Sequence, residues 1–184
     1  MFEPLAAQTV QLVLYTDAFV VRGQVRTRQR RLSDLLNQTD KGFIVLEEAS
    51  FDEFGSRDSV HRTDYAQVNL AAVLFAVADQ PVEALPELRT PKIQERALIT
   101  IPPFRIVGRI HLMPERDLHD ALDELSGRFL PVTEATYWSD KVGEPRQTAP
   151  MVAFNHARAQ ILAPYQEVDP WEGLSHDQAA QAGS

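Results

Sequence analysis

Five arginines fall within ten residues in the stretch RGQVRTRQRR: Arg22, Arg26, Arg28, Arg30 and Arg31. A guanidinium group is a planar fork that grips phosphate or carboxylate through paired hydrogen bonds. Such a run could therefore hold a nucleotide or an RNA backbone. On a strand, Arg26 and Arg28 share a face, and Arg22 joins them if the strand stays regular. The same residues are suited to pairing with Glu47, Glu48 and Asp52 on a following strand, since opposite charges stabilise cross-strand pairs. The formal net charge is −8, and an acidic surface repels phosphate backbones. Carboxylate pairing is the favoured expectation, and nucleic acid an unfavoured partner.

Two acids, Asp34 and Asp120, recur in similar surroundings, LSDLLN and LHDALD. A catalytic pair would need them side by side. Their place in the first turn of a short helix points instead to a helix charge or a cap on nearby amides. Ser33 has no glycine elbow around it and reads as no nucleophile. His61, His111, His119, His156 and His176 show no zinc-ligand spacing. The chain has no cysteine, which excludes disulfides and thiolate metal sites. No phosphate loop, dinucleotide fingerprint or nucleophile elbow is present. The expectation is a non-enzymatic protein with neither metal nor cofactor. One further binding candidate is Trp171 in DPWEGL. An indole between acids on a flexible tail suits docking into a protein partner or folding back on its own chain.

These candidates need elements to position them, and the chain writes those elements twice. At an offset of 85, Phe19 meets Phe104, Val21 meets Ile106, Gly23 meets Gly108 and Arg31 meets Arg116. One residue further, at 86, Leu32 meets Leu118, Asp34 meets Asp120, Phe43 meets Phe129, Glu48-Ala49 meets Glu134-Ala135, and Asn69 meets Asn155. A period this long suits a duplicated small domain rather than a solenoid unit.

Each copy reads as a strand, a second strand with Gly23 or Gly108 inside it, a helical turn, a third strand, then one or two more. A glycine within a strand marks a bend or a close backbone approach. The segments after the polar loops, such as YAQVNLAAVLFAVA (65–78), could be two strands meeting at Asn69 and Asn155 or one longer element. In the first case the asparagines would make the turn, because Asn tolerates left-handed backbone angles. The expected fold is mainly β with short helical turns: two tandem small β-barrels or bent sheets forming a pseudo-dimer. The expected boundaries are a first β repeat at 1–80, a proline-containing linker at 81–94, a second β repeat at 95–164 and a flexible acidic tail at 165–184.

The stretch RRLSDLLN followed by GFIVLEEASF resembles an uncharacterised family of bacterial domains with an R-L-S-D-x-L-N motif. Residues 9–51 carry the likeness best. In 97–137 the Ser and Asn of the motif become His119 and Asp123. The resemblance implies fold and repeat, and no activity. By analogy, the strand order is similar to that of Sm-like and SH3-like small barrels, which bind RNA, peptides or other subunits. Arg26 and Arg30 match the R-x-x-x-R of PilZ-type cyclic-dinucleotide domains. The rest of that pattern departs, with Glu48 as the acidic lead and Gly55 two positions late.

The amino terminus lacks the basic start and long apolar core of a secretory signal. The longest apolar run, Leu70 to Ala78, is far short of the roughly 20 residues that span a bilayer as a helix. A soluble, cytoplasmic protein without membrane insertion is expected. The expected function is a protein-interaction or scaffold module. The alternative is a nucleotide- or RNA-binding regulator using the Arg22–Arg31 strand.

Overall fold

The computed structural model describes residues 7–28, 31–38, 42–56, 59–78, 93–113, 118–123 and 125–166. Among them, ten strands form one antiparallel sheet: β1 (Gln8–Thr16), β2 (Phe19–Thr27), β3 (Phe43–Glu53), β4 (His61–Asn69), β5 (Val73–Ala78), β6 (Ile93–Ile101), β7 (Phe104–Leu112), β8 (Phe129–Ser139), β9 (Glu144–Asn155) and β10 (Ile161–Pro164). Helix α1 (Leu32–Asn37) lies between β2 and β3, and α2 (Leu118–Asp123) between β7 and β8. The fold is mainly β, as expected. No described helix is long and apolar enough to cross a membrane.

The order across the sheet is β10-β6-β7-β8-β9-β5-β1-β2-β3-β4. Of the two expected forms, small barrels or bent sheets, the barrels are corrected: the strands make a single open sheet that does not close, rather than two separate units. The reason lies in β5. Closing the first half on itself would use the second rim of β5, but that rim belongs to β9. Phe75 lies opposite Phe154, Ala76 opposite Ala153 and Val77 opposite Val152. On either side of this junction the neighbours run in the same sequence, β5-β1-β2-β3-β4 and β10-β6-β7-β8-β9.

Strand β5 is apolar throughout, VLFAVA, and five of its six residues are buried. A strand flanked by neighbours on both rims and covered on both faces needs that composition. The segment 65–78 accordingly forms parts of two strands, β4 and β5, and not one longer element. Two apolar cores form. One is built mostly from the second half, with Tyr15, Val20, Leu74 and Phe75 inserted from the first. The other is built mostly from the first half and receives Phe129 and Ala153.

The two glycines sit where the third strand of each half bends. The register of β2 on β3 slips between Arg22 and Gln24, and that of β7 on β8 slips between Val107 and Arg109. Each slip places an extra residue on the longer strand. There Glu48 and Glu134 adopt left-handed backbone, both at φ 49°, which costs a non-glycine residue about 1–2 kcal/mol. The bend drives the bulged strand against the glycine. A Cβ on Gly108 would lie 2.4 Å from Val132 Cγ1 and 2.9 Å from the Thr133 carbonyl oxygen. One on Gly23 would lie 2.9 Å from Leu46 Cβ and 3.0 Å from the Glu47 carbonyl oxygen. Gly108→Ala is therefore expected to lower stability by about 1–3 kcal/mol through overpacking, read as a lower urea midpoint. An unchanged midpoint would show that the bend does not depend on the missing side chain.

Helix α1 buries Leu32 and Leu36 and carries Asp34 in its first turn. Its N-cap is Arg31, and no side chain caps it. Of the two roles expected for Asp34, a helix charge or a cap, its place in the first turn fits the charge, and no side-chain cap is present at Arg31. Asp120 takes the same place in α2 and lies 3.5 Å from its neighbour His119. Strand β6 begins at Ile93, inside the expected linker, because Ile93 and Gln94 pair with Leu112 and His111. Tyr165, expected in the tail, donates its amide to the Arg96 carbonyl at 2.8 Å. The rest of the linker, with Pro81, Pro86 and Pro91, lies outside the described residues, as do Arg30, residues 167–184 and hence Trp171.

Candidate functional site

The arginines of β2 run along a solvated sheet. Arg22, Arg26 and Arg28 are exposed at alternating positions, as the strand period requires. Arg22 pairs with Asp52 of β3, one of the carboxylates anticipated for it. Gln24 of the same face donates to the Glu48 carboxylate. On β7 the corresponding contact is Arg109 to Glu134, at 3.0 Å. The guanidinium that opens the stripe, Arg22, is thus already engaged by a carboxylate.

A cleft of about 220 Å³ opens elsewhere, at the β6–β7 turn, and is lined by Thr100, Pro102, Pro103, Arg105, Trp138 and Asp140 among others. Ser139 also lines it, but its hydroxyl donates to the Pro103 carbonyl at 2.7 Å. No histidine lines the cleft to act as its base. The described histidines are dispersed. His61 stacks on Phe51, His111 shares a 2.9 Å hydrogen bond with Thr133, His119 lies in α2 and His156 follows β9. Among the described residues no three His, Cys, Asp or Glu side chains are placed to hold a metal ion. Asp34 and Asp120 lie in separate helices, α1 and α2.

What the fold does bring together is the β5–β9 junction. Tyr15 and Phe75 come from the first half, Phe104 and Tyr137 from the second. Tyr15 stacks on Phe75 with ring centroids 4.4 Å apart, and Phe104 and Tyr137 meet Phe75 edge-on at 5.1 and 5.2 Å. The two tyrosine hydroxyls lie 3.4 Å apart, and that of Tyr137 donates to Gln147 at 3.2 Å. Burial pushes both hydroxyls above their ordinary range, so both stay protonated at neutral pH.

Asparagines tie the same junction. Asn155 is buried, and its amide nitrogen donates to the carbonyls of Leu70 at 3.3 Å and Val73 at 2.9 Å. Asn69 behaves differently: its side-chain oxygen accepts from the Ala71 amide at 2.9 Å and shapes the β4–β5 turn. Both asparagines end a strand, as expected, but neither takes the left-handed backbone that was the expected reason. Asn37, the last residue of α1, exchanges two hydrogen bonds with the Phe129 backbone, at 2.9 and 2.8 Å. Its amide thereby stands in for a neighbouring strand. Arg158 donates to the Ala71 carbonyl and to Asp17.

The outer rims contrast with this. Strand β4 ends the sheet, bonded to β3 alone among the described strands, and Tyr65 on it is 68% exposed. Strand β10 ends the other side. Sequence reasoning singled out none of Tyr15, Asn37, Tyr65, Phe75 or Ile161 for a role between elements. The available signal was YAQVN (65–69), an uncharged strand segment, and Asn37 closing the conspicuous RLSDLLN run. Comparison with protein-family models, with curated proteins and with solved structures finds no match to this chain.

Proposed function

We propose that this chain is a non-enzymatic protein-interaction module, built from a duplicated small β domain and working through its open sheet rims. One observation carries the reading: β4 presents an uncharged rim at Tyr65–Asn69 that no further strand covers among the described residues. Sheets ordinarily blunt their edges with lysine, proline or a bulge. The first part of β4 carries Arg62 and Asp64, but YAQVN carries no such guard. An added strand would bond to its outward backbone groups and cover Tyr65, and that is the mode by which sheet edges recognise extended partners. The duplication is supported by the matching order of strands and by the bulges at Glu48 and Glu134, each against its glycine. The Arg22–Asp52 pair and the net charge of −8 weigh against phosphate as the ligand.

Affinity capture tests this reading, using the intact chain and Tyr65→Glu as baits. The expected result is a stoichiometric protein retained by the first bait and lost by the second; where that protein is another copy of the chain, the loss is expected when both copies carry Tyr65→Glu. Neither chain should bind heparin at moderate salt. A chain that retains no protein, or that binds heparin through Arg26 and Arg28, would overturn it.

A further inference from the structure

We infer that the open rim of β4 receives the β10 rim of a second copy of this chain, head to tail, as β9 receives β5 within one copy. The inference rests on the duplicated-domain reading and names the partner for the rim proposed above. The internal junction supplies the template. It joins β5 of the first half to β9 of the second, at Phe75–Phe154, Ala76–Ala153 and Val77–Val152. Moving each residue to its counterpart 86 positions away turns β5 into β10 and β9 into β4. The template then pairs Ile161 with Val68, Leu162 with Gln67 and Ala163 with Ala66 of the next copy. Both counterpart strands are present and both are terminal in the sheet.

Exposure supports the transfer. Phe75, Phe104 and Phe129 are each at most 1% exposed at or beside the internal junction. Their counterparts Ile161, Phe19 and Phe43 are 55%, 36% and 43% exposed. Large apolar side chains are thus left in solvent where the internal template would cover them. The segment 65–69, whose counterpart 151–155 is mostly buried, lies along the same surface. A contact between unlike patches leaves one rim of each kind free on any pair of copies, so it builds rings or filaments and does not stop at a self-complementary pair.

The chain has no cysteine, so single cysteines report this contact without background. Chains carrying Ile161→Cys are mixed with chains carrying Val68→Cys and oxidised. Directly opposite residues on antiparallel strands have Cα atoms about 4.5–5.5 Å apart, within reach of a disulfide. The expected product is a mixed dimer, with neither variant cross-linking to itself. Self-linking of either variant would mean like rims meet, and would overturn the inference. Native mass provides the second measurement. The wild type should exceed one chain. Phe43→Glu/Tyr65→Glu and Ile161→Glu, all at exposed positions, should each be folded monomers that form a one-to-one dimer when mixed, since each keeps one intact rim. A wild-type monomer overturns the inference. If that monomer still captures another protein through Tyr65, the interaction role stands without it. Should a chain ended at residue 166 assemble where the full chain does not, the rim's occupant is the chain's own tail and the inference fails.

Discussion

Phe75→Ala is expected to lower the stability of the whole chain by about 3–5 kcal/mol, the cost of truncating a buried phenylalanine and leaving a cavity. Its ring is fully buried and touches Tyr15, Phe104 and Tyr137. Aromatic pairs of this kind add about 0.5–1.5 kcal/mol beyond the area they bury. For a chain of this size the loss corresponds to roughly 6–20 °C in Tm. Because the cluster draws on both halves, a single cooperative transition should move as a unit in urea or heat. A loss below about 1 kcal/mol, or two transitions of which only one moves, would show that the halves are held by something other than these rings.

Asn155→Asp is expected to be as damaging at neutral pH, and to be so in a pH-dependent way. The asparagine amide gives both its hydrogens to the carbonyls of Leu70 and Val73. Its own oxygen is buried without a hydrogen-bond partner among the described residues. An ionised carboxylate there would face two acceptors with no donor, and an uncompensated buried charge costs about 3–5 kcal/mol. Desolvation raises the folded-state pKa of such a group above its unfolded value of about 3.9. The folded state then binds the proton more tightly than the unfolded one. The deficit is therefore smallest below about pH 4 and grows as pH rises toward the folded pKa. Asn155→Ala has no proton to exchange and should lose about 1–3 kcal/mol per stranded carbonyl at every pH. Parallel pH profiles of unfolding free energy for the two variants check this. If both are flat, the carboxylate reaches water.

How much of this was legible beforehand differs by element. Strands β1 to β3 and β6 to β8 were readable, because one-sided burial writes an alternating pattern into a strand. The two glycines were readable too, and the bends opposite them occur. The joining of the halves into one sheet was not readable. Which strand bonds to the rim of β5 is decided by backbone groups that every residue carries, so side-chain pattern is silent on it. Glu48 and Glu134 were noticed as a repeated Glu-Ala but not as left-handed residues, since glutamate has no intrinsic leaning toward that conformation; the register slip imposes it. Asn69 and Asn155 show the same limit from another direction. One residue type at corresponding positions shapes a turn in one half and ties down the other half's turn in the second. The arginine stripe was read correctly at Arg22, where a carboxylate on the next strand was the simplest partner.

The pairing of β5 with β9 also has a consequence in time. Phe75 meets Phe154, so a growing polypeptide finishes β5 about 80 residues before its permanent neighbour exists. At roughly 5–20 residues per second the ribosome needs about 4–15 s to deliver it. Through that interval a strand made of VLFAVA stands with a bare flank, in the state most prone to mispairing with other nascent chains. Newly made protein should therefore depend on chaperones for a stretch of synthesis that ends only when the last large strand emerges.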